Sequence, residues 1–239
     1  DLVVHGRSAS KVERVVRHIG PAARPAIADL SDLDDERELA RCHASTYPRL
    51  GGLLNNAGSF DGDYTGERLL TKQNNEYTLA VNVLAPFLLT SLLLPSLRAS
   101  GAGRCVFSSS VSMGAADALD DLQLEQGYSG HRAYSLSKLA DAMLSQELHH
   151  RYGSAPKLVF NTMDPTEQVG LGADTKMLRA GWGNWGAAPD EATISADMMA
   201  AIPWGVVSGR GFARHPKVSD VSARVRRWDE CVRLTGADW

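Results

Sequence analysis

Cysteine is scarce in this 239-residue chain, with Cys42, Cys105 and Cys231 far apart. An odd, scattered set argues against a disulfide framework or a zinc site and fits a reducing compartment. No signal-peptide pattern is visible, so a cytoplasmic location is expected. An excess of one charge is also lacking. The net charge is -3 with no basic block, which gives no drive toward nucleic acid or an anionic membrane. A long unbroken apolar run is missing too. The most apolar stretch, 79–97, is interrupted by Asn82, Pro86, Thr90, Ser91, Pro95 and Ser96. A spanning helix needs about 20 predominantly apolar residues, so a buried helix and no membrane span are expected. Repeats, low-complexity segments and linkers are absent, and 44% hydrophobic residues suit one domain over 1–239 with a substantial core.

What is present alternates. Short apolar runs at 2–5, 25–28, 53–55, 105–108, 158–162 and 211–213 read as buried strands. Longer patterns at 10–19, 34–46, 74–98, 133–152, 190–201 and 221–234 read as helices, with Ser10, Asp34 and Asp190 as capping or first-turn residues. Alternation of this kind implies an α/β fold, a doubly wound Rossmann-type parallel sheet with covering helices. The segment 165–189, rich in Gly and Trp, is expected to be a loop forming a lid over a pocket. His149-His150 at a helix end suits the helix dipole rather than a metal, and Arg224, Arg226 and Arg227 suit a solvated helix face.

The stretch "AYSLSKLADAML" places Tyr134 and Lys138 one helical turn apart. Leu136, Leu139, Ala140, Met143, Leu144 and Leu148 form one apolar face, and Tyr134, Lys138 and Asp141 fall on another. Taken alone, the pair suits equally a surface tyrosine beside a solvated lysine. Its surroundings favour chemistry. Serines 108–110 end an apolar strand, where open α/β sheets bind ligands. "LLNNAG" ends another strand in polar residues and Gly58, and Asn82 stands alone in an apolar helix, where an amide must be hydrogen-bonded.

In this order, the motifs Asp29-Leu30, Asn55-Asn56-Ala57-Gly58, Asn82, Ser109-Ser110 and Tyr134-Ser-Leu-Ser-Lys138 resemble the short-chain dehydrogenase/reductase family over nearly the whole chain. Residues 118–148 are similar to its retinol-dehydrogenase-like branch. The resemblance implies a catalytic tetrad of Asn82, Ser110, Tyr134 and Lys138, with Ser109 as the alternative serine. A free phenol titrates near about 10, so a tyrosine exchanging protons at neutrality needs a cation nearby, and Lys138 is placed to be one. Ser110 then orients the substrate oxygen, and Asn82 holds a water linking Lys138 to solvent. The implied cofactor is NADP(H) rather than NAD(H). Arg7 ends the first strand, where a basic residue accommodates the 2′-phosphate and an acidic one binds the ribose hydroxyls of NAD. Asp29 and Leu30 flank the adenine, Asn56, Ala57 and Gly58 pass the ribose and pyrophosphate, and Tyr134 and Lys138 reach the nicotinamide ribose. The implied substrate is a small to medium lipophilic carbonyl or alcohol. The helices carrying Asn82 and Lys138 are expected to form a homodimer interface.

Two departures stand against the family pattern. The chain opens inside an apolar run, "DLVVHGR", without the strand and T-G-x-x-x-G-x-G turn with which the family begins. It therefore reads as N-terminally truncated. The alternative is a non-catalytic descendant acting as a binding or scaffold protein. Second, the family has Pro-Gly and then a threonine about five residues after the proline, contacting the nicotinamide amide. Here Thr166 follows Pro165, and the matching threonine, Thr175, is displaced.

Overall fold

The computed structural model describes residues 1–60, 66–154, 156–165, 173–183, 185–200 and 215–239. Five parallel strands run through it. β1 (Leu2–Gly6) pairs with β2 (Ala23–Ile27) in register Val4 to Pro25. β2 has β1 as its only partner strand among the described residues, which is where a proline without an N–H is tolerated. β3 (Gly52–Asn55), β4 (Gly103–Ser108) and β5 (Leu158–Met163) form a second sheet in that order, with β4 central. The fold is the expected α/β arrangement, but the parallel strands form two sheets. Among the described residues β1 and β3 each pair on one side only, and Leu2 and Leu54 are 51% and 37% exposed.

The crossovers follow from sequence. Helix α1 (Ala9–Ile19) buries Val12 and stops at Gly20, whose φ of 92° is costly for other residues. Helix α2 (Leu33–Thr46) is capped by Asp32, whose carboxylate accepts from the Asp34 N–H, with Asp34, Asp35 and Glu36 in its first turn. Helix α3 (Tyr77–Ala99) is the long apolar one. The Glu76 carboxylate accepts from the N–H groups of Thr78 and Leu79 at its start, and a π-helical turn over Ala80–Leu84 surrounds Asn82. Its length and apolarity would suit a membrane span, but 83% of its most apolar window is buried inside the molecule.

Helix α4 (Gly130–Tyr152), capped by Ser129, is buried on nearly every side. Tyr134, Lys138 and Asp141 are 8%, 5% and 2% exposed, so the face read as polar is interior and the surface-pair reading fails. Within 165–189 the structure forms a helix missed by the sequence reading, α5 (Lys176–Trp182), capped by Thr175. Helix α6 (Ile194–Ala200) starts four residues later than expected, after a 3-10 turn at Pro189–Glu191. The strand expected at 211–213 lies outside the described residues.

A short turn, α7 (Pro216–Ser219), and α8 (Val221–Thr235) close the back of the molecule. Trp228 and Trp239 meet at 4.5 Å with their rings tilted, both touch Phe87 of α3, at 5.0 and 4.8 Å, and Tyr152 of α4 stacks on Trp239 at 5.5 Å. Within the chain these contacts bury Phe87 and cover part of Tyr152 on the two helices expected to form a homodimer interface. The solvated arginine face is corrected by the same packing. Arg224 and Arg227 are each 6% exposed, Arg224 paired with the buried Glu147 and Arg227 reaching the exposed Asp120, whereas the Arg226 side chain keeps the expected solvent exposure at 56%.

Candidate active site

The carboxyl end of β4 opens into a cavity of about 650 Å³. Three consecutive serines leave the strand there with different tasks. Ser108 Oγ donates to Asn56 Oδ1 at 2.9 Å. Ser109, 2% exposed, donates its hydroxyl to the Lys138 carbonyl at 2.7 Å. Ser110 faces the cavity less encumbered, its Oγ accepting the Ser112 N–H at 3.1 Å. Hydrogen bonding thus separates Ser109 from Ser110: the Ser109 hydroxyl is committed to a helix backbone, and the Ser110 hydroxyl accepts one backbone N–H at the cavity.

Tyr134 and Lys138 enter from α4. The Lys138 Nζ lies 5.7 Å from the Tyr134 ring centroid. It donates to the Ser108 carbonyl at 2.6 Å and to Asp141 Oδ2 at 3.1 Å. Burial pushes the Asp141 carboxyl up to about 6, against the opposing pull of Lys138. Asn82 sits behind. Its Oδ1 accepts the Ser59 N–H at 2.7 Å, and its Nδ2 donates to the Ser59 carbonyl at 3.1 Å and to Ser137 Oγ at 3.0 Å. The side-chain amide is therefore spent on tying the loop after β3 to α4.

The cavity brings together Asn56, Gly58, Ser110, Tyr134, Lys138 and Thr175. Arg7, Asp29, Leu30, Ala57 and Asn82 are outside its lining. Arg7 is exposed and donates to the Tyr77 hydroxyl at 3.0 Å. Asp29 accepts the Ser31 N–H and hydroxyl at 2.9 and 2.8 Å, and Leu30 beside it is half-buried. Ala57 is exposed. Thr175 caps α5, accepting the Leu178 N–H at 3.1 Å, and this fixes it at the cavity wall despite its displaced position in sequence.

Residues packed behind and beside the wall escaped the sequence reading. Phe60 lies 5.2 Å from Tyr134 and 5.0 Å from both His131 and Trp182, forming an aromatic cage over the tyrosine. His131 could have been found, since it lies three residues before Tyr134 on one helix face. Phe60 could not, because nothing local links it to Trp182. Asp164, 4% exposed, accepts the Val111 N–H at 2.8 Å and ties the serine loop to the end of β5.

The residues present suit the nicotinamide half of a dinucleotide. Gly58 lies open at the cavity, and a methyl group added there would meet Met177 and Asn82 at 3.5 and 3.6 Å. These are ordinary contact distances, so the position has room for a small side chain but none is present to stand between the Gly58 backbone and the cavity.

A family profile described as short chain dehydrogenase matches residues 1–166. Human retinol dehydrogenase 14 is 30% identical over 223 residues, covering 87% of this chain and 65% of that protein. The chain therefore spans just under two thirds of that relative. A short-chain dehydrogenase structure from Escherichia coli CFT073, complexed with NADPH, is 27% identical with a TM-score of 0.66, covering 87% of this chain and 82% of that one. A 3-ketoacyl-(acyl-carrier-protein) reductase structure from Brucella melitensis, complexed with NADH, shares the fold at 21% identity and a TM-score of 0.66, over 87% and 83% of the two chains.

Proposed function

The chain belongs to the short-chain dehydrogenase family, and from that premise we propose that it is an NADP(H)-dependent oxidoreductase interconverting a carbonyl and an alcohol on a small to medium lipophilic substrate. The observation that carries this reading is the meeting of Ser110, Tyr134 and Lys138 at one cavity, with the other two serines occupied elsewhere. When bound, the nicotinamide exchanges a hydride with the substrate carbon. Ser110 holds the substrate oxygen by a hydrogen bond. Tyr134 gives its phenolic proton to that oxygen in reduction and takes it back in oxidation. The Lys138 ammonium, 5.7 Å from the ring, stabilises the negative charge left on the phenol oxygen.

Arg7 supports NADP(H): its guanidinium is exposed on the strand end, and the Tyr77 hydroxyl holds it there. The walls support a lipophilic substrate. Val111 and Trp185 are 73% and 47% exposed at the cavity, and Met177, Leu178 and Trp182 continue the apolar lining. The relative named a retinol dehydrogenase is consistent with that chemistry.

The test is an NADPH-consumption screen over aldehydes and ketones, repeated with Tyr134→Phe. The variant keeps the ring in its cage and loses the proton. Turnover should fall about 10²–10⁴-fold with NADPH affinity unchanged. Retention of a tenth of the wild-type kcat, less than about 1.4 kcal/mol of barrier, would reject the general-acid role.

A further inference from the structure

The carboxylate of Asp141 takes no part in the proton transfer above, yet it lies one turn beyond Lys138 on the same helix. The ion pair is interior, with side-chain exposures of 6% for Lys138 and 3% for Asp141. Asp141 Oδ1, like Ser145 Oγ one turn further on, is buried with no hydrogen-bond partner among the described residues. A buried pair with half its acceptor capacity unused is a poor source of stability, because desolvating two charges costs more than one contact returns. The other contact of the Lys138 ammonium is a neutral carbonyl, that of Ser108.

We propose that Asp141 is a positioning residue for this reaction: as counter-ion of Lys138 it anchors the ammonium between α4 and the end of β4 and sets the positive charge that Tyr134 feels. The inference rests on the oxidoreductase reading above.

Most of the other titratable and charged groups around α4 have partners other than Lys138 and Asp141. On α4 itself, Glu147 is held by Arg151 and Arg224. From α8 come Arg224, Arg227 paired with Asp120, and the buried thiol of Cys231. That thiol is pushed up to about 12, chiefly by burial, with the Asp141 charge adding to the effect. On α7, Lys217 pairs with Asp220. The turn at Ala116–Ala118 brings Asp117, paired with Arg132. On α3, Tyr77 meets Arg7 and Arg98 lies over Tyr152. From β4 come Arg104, whose Nε is buried with no hydrogen-bond partner among the described residues, and the thiol of Cys105, within reach of Thr90 and Asn55. β5 has no titratable side chain. Because its carboxyl is raised to about 6, Asp141 loses its charge on mild acidification and Lys138 then stands without a counter-ion.

Lysine labelled with ¹⁵N reads this without turnover. The Lys138 Nζ signal, assigned by its loss in Lys138→Met, should step with a midpoint near about 6 in the wild type and stay level in Asp141→Asn. A level Lys138 signal in the wild type overturns the proposal, and that measurement stands even where Asp141→Asn does not fold. In turnover, Asp141→Asn should lower kcat about ten- to hundredfold, leave KM within about twofold, and abolish the limb of the pH profile near about 6. A variant that turns over like the wild type with the limb intact also overturns it. A wild type that shows the step but reduces none of the carbonyls at any pH keeps the anchoring of Lys138 by Asp141 and rejects the activity.

Discussion

Replacing Arg224 by methionine should cost more than any surface substitution on α8. The Glu147 carboxylate is 2% exposed and accepts from Arg224 Nε at 3.2 Å and from Arg151 Nε at 2.7 Å. Arg224 also donates from Nη1 to the Val218 carbonyl at 2.8 Å. Methionine fills much of the same volume, but leaves one carboxylate oxygen and one carbonyl unpaired in the interior. Breaking a buried pair by removing one partner costs about 3–5 kcal/mol. Arg151 remains but is 33% exposed and partly screened, so a loss near the lower figure of about 3 kcal/mol is expected. For 239 residues the unfolding entropy is about 0.5 kcal/mol/K, which makes the fall in Tm about 6 °C. Urea and thermal unfolding followed by circular dichroism measure it. The double variant Arg224→Met/Glu147→Leu removes both charges and should recover to within about 1 kcal/mol of the wild type. A single variant as stable as the wild type would show that the pair is not buried. A double variant as unstable as the single would show that packing, not charge, secures α8.

Three further outcomes are expected. Arg7→Asp places a carboxylate near the 2′-phosphate and should swing preference toward NADH; an unchanged ratio of kcat/KM for the two cofactors would place Arg7 away from the phosphate. Gly181→Ala should raise KM for bulky carbonyls, because its methyl group would overlap the Phe60 ring, which packs on Tyr134 and Trp182 of the cavity lining; unchanged KM across substrate sizes would mean that α5 does not pack on Phe60. In hydrogen exchange, the backbone amides of β4, flanked by two strands, should outlast those of β1 and β3; equal protection in all three strands would show that both inner edges are paired.

Much of the fold was legible because its elements are locally encoded. Short apolar runs placed all five described strands within two residues at each end; the burial that imposes such runs on parallel strands holds for β4 and β5, while β1 and β2 are partly exposed. Helix α5 was hidden because a Gly- and Trp-rich segment carries no helical period. It is held by its Thr175 cap and by the packing of Trp182 on Phe60 and Tyr134. The arginines of α8 were misread for a related reason: a charge pattern shows which residues could face water, while burial of Arg224 depends on Glu147, 77 residues away in the chain.

The same division runs through the site. By itself the sequence determined the residue types and their strand-end and helix-turn positions, because Tyr134 and Lys138 are neighbours through helix geometry alone. Only the tertiary structure decided which serine is open to a ligand, that Asn82 is committed to Ser59 and Ser137, and that Asp141 lies buried against Lys138. Those outcomes depend on which distant backbone groups compete for each polar atom and on how far water is excluded. Neither is set until the chain has packed.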